Sequence, residues 1–198
     1  MVPAEKMGDH YDTIDPEVYN EMCFKVINNT EINVIAKLIA EGLAIPKDAK
    51  IFDAGCGTGL IGEMLHKEGY TNMDGADASK KWVEYVNTKG WYKVCEAFYL
   101  GMGVDEFPSK FKGKYDCCMA SGVFLPNHMP ASAMDDIHSC LKTGGYFITA
   151  MRSYLYVDGE KHGFKDKINE LVADGKFKHH SQGEFVRGTK EVHTLFEE

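Results

Sequence analysis

The 198-residue sequence predicts an α/β fold: a three-layer sandwich whose seven-stranded, mostly parallel sheet lies between two layers of helices. Three observations carry this. From Lys50 onward, short apolar runs alternate with amphipathic helical stretches, the pattern of parallel strands joined by helical crossovers. The turn Gly55-Cys56-Gly57-Thr58-Gly59 runs from the first such strand straight into a helix. The last two predicted strands, 177–186 and 191–196, are separated only by Arg187-Gly188-Thr189-Lys190. A parallel crossover needs about a dozen residues, so this pair is expected to be an antiparallel C-terminal hairpin.

The elements follow in order. Asp15-Pro16 supplies an N-cap and a first-turn proline for a helix to Asn28. Thr30 caps a second helix, in which Ile32, Ile35, Ala36, Ile39 and Ala40 recur at helical spacing; Gly42 and Pro46 end it. Strand one is Lys50 to Asp53, followed by a helix from Leu60 to Lys67. Strand two is Asn72 to Asp77, and Ser79 caps a helix to Thr88 with Gly90 beyond it. Tyr92 to Tyr99 is strand three, and Leu100 to Lys114 reads as loop. Tyr115 to Ser121 is strand four, nearly all apolar as a central parallel strand should be. A helix over 130–141 closes at Gly144-Gly145, Tyr146 to Met151 is strand five, and a helix over 164–174 precedes the hairpin. No repeat or linker interrupts the pattern, so residues 1–198 are expected to be a single domain, with 1–45 as a helical N-terminal cap or lid and 46–198 as the core.

Composition excludes several classes. The net charge is -8, which repels phosphate backbones, so nucleic acid is not the expected partner. No apolar run approaches the roughly 20 residues of a membrane helix, and no apolar segment follows Met1 to Lys6 as a signal peptide requires. The six cysteines form no C-x-x-C pair and no metal-ligand spacing. No metal is expected, and a reducing, cytoplasmic setting is.

The chemistry centres on the glycine turn. Glycines let a ligand approach the backbone, and the following helix start offers free amides at the carboxyl edge of the sheet. Asp53, just before the turn, suits a ligand carrying an ammonium group. Asp77 lies about 20 residues further on, where a carboxylate can accept both ribose hydroxyls of an adenosine. One register, Gly57-x-Gly59-x-x-Gly62, also fits the nicotinamide fingerprint. Asp53 beside a pyrophosphate, and the expected antiparallel hairpin, weigh against an NAD-dependent oxidoreductase.

Ile51-Phe52-Asp53-Ala54-Gly55-Cys56-Gly57-Thr58-Gly59 resembles the first motif of class I, Rossmann-like methyltransferases dependent on S-adenosyl-L-methionine. Gly75-Ala76-Asp77-Ala78-Ser79 resembles their second, and Tyr115-Asp116 and Leu141-Lys142-Thr143-Gly144-Gly145 are similar to later landmarks. Within the class, Ser121-Gly122-Val123-Phe124, His128-Met129-Pro130 and the opening His10-Tyr11-Asp12 look most like the methyltransferase-like proteins named after the Williams-Beuren deletion region. The resemblance implies that Asp53 and Gly55 hold the methionine moiety, that Ala54 between them belongs to the cofactor site, and that Gly57 and Gly59 admit the cofactor. Asp77 would bind the ribose, Ala78, Gly101 and Met102 would flank the adenine, and Ser121 and Gly122 would face the sulfonium. Tyr11 would reach the cofactor from the lid.

His128 follows strand four, where an acceptor would sit, and is the candidate general base. Phe124, Asn127, His128, Arg152 and Tyr154 are the candidate acceptor contacts. The Asn/Asp-Pro-Pro-Tyr signature of base-modifying enzymes is absent at Leu125-Pro126-Asn127-His128. The expected activity is therefore in-line methyl transfer to a small-molecule acceptor, leaving S-adenosyl-L-homocysteine. A catalytically silent cofactor- or partner-binding protein on the same fold is the alternative. Monomer and homodimer are equally open.

Overall fold

The computed structural model describes residues 2–157 and 162–188. Five strands form one sheet: β1 (Ile51–Ala54), β2 (Met73–Asp77), β3 (Val94–Ala97), β4 (Tyr115–Ser121) and β5 (Leu141–Ala150). Their spatial order is β3-β2-β1-β4-β5 and every pairing is parallel. The chain winds outward from β1 to β3, then returns to place β4 on the other side of β1. That reversal opens a crevice at the carboxyl ends of β1 and β4, the place where such sheets bind ligands.

Strand periodicity sends successive side chains into two separate cores. Phe52, Cys118 and Ala120 face a layer containing Met134 and Ile137 of α6 (Ala133–Cys140) and Leu171 of α8 (Phe164–Ala173), with Leu155 of α7 (Ser153–Val157). Ile51, Cys117 and Met119 face Ile35 and Ile39 near α3 (Glu31–Lys37), Leu65 of α4 (Leu60–Lys67), and Val83 and Val86 of α5 (Lys80–Asn87). The adjacent Cys117 and Cys118 are buried on opposite faces as core residues.

At the amino end, α1 (Met7–Asp12) and α2 (Pro16–Glu21) pack over this frame, α2 continuing as a wider turn over Met22–Val26. Asp15 caps α2 as its sequence predicts, accepting from the Glu17 and Val18 amides. Thr30 does not cap α3. Its hydroxyl donates to the Val186 carbonyl, and Asn29 Oδ1 accepts from the Glu31 amide instead. The helix α1, which the sequence pattern does not reveal, is held at the start of α5 by Asp12, whose Oδ1 accepts from Ser79 Oγ at 2.6 Å and the Lys81 amide at 3.0 Å.

The expected seven strands with an antiparallel hairpin are corrected to five parallel ones among the described residues. Segment 177–186 is not a strand. Lys178 to Glu184 lacks apolar alternation and is almost wholly exposed, so no sheet face recruits it. Its far end bonds elsewhere: the Arg187 carbonyl accepts from the Thr30 amide at 2.9 Å. The expected strand at 191–196 lies outside the described residues. β5 also begins earlier than expected, at Leu141, because a register shift between its pairings with Tyr115 and Cys117 absorbs Lys142 to Gly145.

Candidate functional site

Gly55, Gly57 and Gly59 all adopt positive φ, at 80°, 57° and 80°. Only glycine holds that conformation cheaply, and three in alternation fold the turn sharply back. The Gly55 and Cys56 amides both donate to the Ala76 carbonyl, which ties the turn to β2. Asp77 ends β2 beside it: Oδ2 accepts from the Gly57 amide at 2.8 Å and Oδ1 from the Ser79 amide at 2.9 Å. Burial raises the Asp77 pKa, while backbone N–H groups pull it back. Each oxygen keeps a lone pair, so the carboxylate retains capacity for the paired hydroxyls of a ribose. A β-carbon at Gly57 would meet nothing closer than the Trp82 ring edge at 3.8 Å, so the turn backbone remains approachable.

Asp53 sits beneath the turn at 3% exposure, with Oδ2 accepting from the Tyr92 hydroxyl at 2.7 Å. Burial lifts its pKa to about 7 against the bond from Tyr92, with the nearby Asp77 charge adding to the rise. Tyr92 reaches Asp53 by passing over Gly62, where a β-carbon would stand 2.0 Å from the hydroxyl. The glycine that completes the nicotinamide register therefore makes room for a tyrosine. The turn, Asp53 and Asp77 line one cavity of about 160 Å³ together with Met7, Tyr11, Tyr19 and Trp82. Met7, Tyr11 and Tyr19 form its amino-terminal wall.

That wall is tightly docked. A β-carbon at Gly8 would lie 2.3 Å from the Ala78 carbonyl oxygen, and the Gly8 amide donates to Tyr99 Oη at 3.0 Å. The Tyr11 ring centroid lies 4.6 Å from that of Trp82. Across the cavity, His128 Nδ1 is 2.9 Å from the Pro126 carbonyl, which can only accept, so Nδ1 carries the proton. With a single ring proton, on Nδ1, Nε2 accepts from the Tyr11 hydroxyl, 2.9 Å away. Burial raises the Tyr11 pKa and keeps that donor protonated.

A family model described as a methyltransferase domain matches residues 51–145, the segment that carries β1 to β4, the turn and Asp77. Residues 51–145 are a class I methyltransferase domain. The chain is 29% identical over 108 residues to human methyltransferase-like protein 27, covering 54% of this chain and 42% of that protein. It is 27% identical over 161 residues to a ubiquinone biosynthesis O-methyltransferase of Vibrio parahaemolyticus, covering 77% of this chain and 63% of that one. The chain thus spans less than two thirds of the length of these curated relatives. A TehB-like SAM-dependent methyltransferase from Corynebacterium glutamicum shares the fold, with a TM-score of 0.57 at 22% identity over 85% of this chain and 83% of that one.

Within the methyltransferase domain the cavity gathers Asp53, Gly55, Gly57, Asp77, Ala78, Met102, Ser121, Gly122 and His128, with Tyr11 arriving from α1. Ala54 is fully buried under the turn, and Gly59 packs against Trp91 and Val86. Gly101 supports the neighbouring wall: its amide donates to Asp136 Oδ2, and a β-carbon would collide with the Ala133 backbone. Phe124 has no exposure and packs between Phe147 and Phe164, so it belongs to the core rather than to the acceptor side. Asn127 turns the chain at a positive φ of 60° outside the cavity lining. Arg152 and Tyr154 are exposed and bond to each other along a groove lined by β5, which adjoins the cavity at Glu31, Gly122 and Arg187. Sequence reading missed Glu31 and Arg187, because neither stands in a motif. Periodicity marks Glu31 only as a polar residue at a helix start.

Proposed function

We propose that the chain is an S-adenosyl-L-methionine-dependent methyltransferase of a small-molecule acceptor, working in the cytoplasm. The carrying observation is Asp77, which stands at the carboxyl end of β2, bonds the turn at Gly57 and lines the same cavity. That is the placement an adenosine ribose requires. The case against an NAD enzyme loses the hairpin argument with the corrected topology and rests on Asp53, a carboxyl set directly beneath the turn that a pyrophosphate would have to approach. Likeness to an O-methyltransferase, the net charge of -8 and the narrow cavity all favour a compact acceptor over nucleic acid.

The bound sulfonium would supply an electrophilic methyl group. The chain's residues bind, align and exclude water. Asp77 positions the nucleoside, while Tyr11, Tyr19 and Trp82 close over it. His128, its Nδ1 proton fixed on Pro126, presents Nε2 to the cavity as the proton acceptor for an attacking group, once Tyr11 yields that position.

Calorimetric titration with S-adenosyl-L-methionine, S-adenosyl-L-homocysteine and NAD tests the reading. Binding of the first two without NAD supports it, and failure to bind either sinks it. A radiolabelled methyl assay over a metabolite panel then separates an enzyme from a silent binder. The silent reading draws on the Tyr11 hydroxyl already filling His128 Nε2.

A further inference from the structure

One wall of the cavity has no counterpart in the glycine-turn motifs. Glu31, the first residue of α3, is 5% exposed, and its Oε1 accepts from Ser121 Oγ at the end of β4. Its Oε2 lies 2.6 Å from Arg187 Nε. The Arg187 N–H does not point at that oxygen, so Nε has no hydrogen-bond partner among the described residues. The two charges form an ion pair at the cavity wall. Arg187 is delivered from far along the chain by its backbone: its carbonyl accepts from the Thr30 amide, and the Val186 carbonyl accepts from the Thr30 hydroxyl. Gly188 packs against the Ile27 carbonyl, where a β-carbon would lie 2.6 Å from the oxygen. Both charged side chains border Gly122: a β-carbon there would be 3.1 Å from Glu31 Oε1 and 3.6 Å from Arg187 Nη2.

Among the described cavity-lining residues Arg187 is the one lysine or arginine, set against the acids Glu31, Asp53 and Asp77. We propose that Glu31 and Arg187 form a recognition site for the zwitterionic head of an α-amino acid, Arg187 taking its carboxylate and Glu31 its ammonium. This rests on the adenosylmethionine reading and deepens it. A bare anion is disfavoured, because the carboxylate of Glu31 stands beside the guanidinium and repels it. A zwitterion answers both charges at once, and the guanidinium fork suits a planar carboxylate. Asp53, the residue that the turn motif nominates for the ammonium, is the weaker candidate. It is only 3% exposed beneath the turn, one oxygen is committed to Tyr92, and burial favours its neutral form. The amino-acid head would then bridge the start of α3 to the segment carrying Arg187.

The head can belong to the methyl donor or to an amino-acid acceptor, and the probes separate them. S-adenosyl-L-homocysteine carries the head; 5′-methylthioadenosine lacks it. Both are titrated calorimetrically into wild type, Arg187→Gln and Glu31→Gln, with melting temperatures checked for each variant. Weakening of S-adenosyl-L-homocysteine by about tenfold or more, the size of one lost charge-assisted hydrogen bond, with methylthioadenosine held within about twofold, assigns the site to the donor. If donor affinity is unchanged, L-histidine, L-tyrosine and L-homocysteine are titrated into protein saturated with S-adenosyl-L-homocysteine. Binding to wild type that disappears in Arg187→Gln assigns the site to the acceptor. Parallel loss of both nucleosides, or no loss in any arm, overturns the proposal. Wild type that binds neither nucleoside instead overturns the adenosylmethionine reading itself.

Discussion

Tyr92 lies across Gly62 so closely that its hydroxyl would be 2.0 Å from a β-carbon there, and from that position it donates to Asp53. The contact couples the helix after the glycine turn to the carboxylate before it. Gly62→Ala is expected to push the ring aside, break the bond and leave a buried carboxylate with one partner fewer. Overpacking and the lost bond together should destabilise the protein by about 2–4 kcal/mol. Urea unfolding measures this, and a change under about 0.5 kcal/mol would show that Tyr92 is not locked by Gly62.

The raised pKa of Asp53 has a definite signature. The folded carboxyl titrates at about 7 and the free one near 3.8, so the folded state holds its proton more tightly between those values. Stability therefore falls as pH rises from about 4 to about 7, by at most about 1.4 kcal/mol per pH unit from this group, and is flat above. Asp53→Asn should remove that component while leaving an acceptor for Tyr92. Stability curves of wild type and variant that run parallel across the window would contradict the assignment.

Asp77→Ala removes the proposed ribose acceptor and the bonds to the Gly57 and Ser79 amides. Affinity for S-adenosyl-L-homocysteine and for 5′-methylthioadenosine should fall together, by about 1–3 kcal/mol. Unchanged affinity for methylthioadenosine would refute the ribose role, because that ligand has nothing else to lose at this position.

Gly8→Ala acts on the docking of α1 against the end of β2. Its β-carbon would strike the Ala78 backbone, which cannot give way as a flexible side chain would. The expected result is an undocked α1, read as faster amide exchange over Met7–Asp12 and faster S-adenosyl-L-homocysteine release in stopped flow. Unaltered exchange in that helix would mean that the docking contact is not what holds it.

His128→Ala should lower kcat for a methyl acceptor by about 10²–10⁴ if the residue takes a proton in the transition state. S-adenosyl-L-homocysteine affinity should stay within about twofold. Tyr11→Phe should spare kcat more than His128→Ala does, because it frees Nε2. A kcat unaffected by His128→Ala would reduce the histidine to a wall of the cavity.

How much was legible follows from the range of each interaction. The strand–turn–helix at β1 and α4, the Ser79 cap of α5, and the whole of β4 are local or strongly patterned. Their residues announce them through glycine conformation, capping chemistry and apolar runs. The segment 177–186 misled because its flanking aromatic and apolar residues look like strand ends, while nothing between them feeds a sheet face. Phe124 misled in another way. It stands beside the glycine and histidine of the acceptor side, but the turn after β4 rotates it into the core between Phe147 and Phe164.

The sequence by itself determined the glycine turn, Asp53, Asp77 and the parallel frame that presents them. These depend on neighbours within a few residues and on the regular geometry of strand and helix, so composition and spacing suffice. Only the tertiary structure decided what faces them. Tyr11 meets His128 across 117 positions, and Arg187 meets Glu31 across 156. Such partners are chosen by how helices pack on the finished sheet, where the burial of charge in a shared cavity decides the pairing, and no short-range pattern encodes that choice.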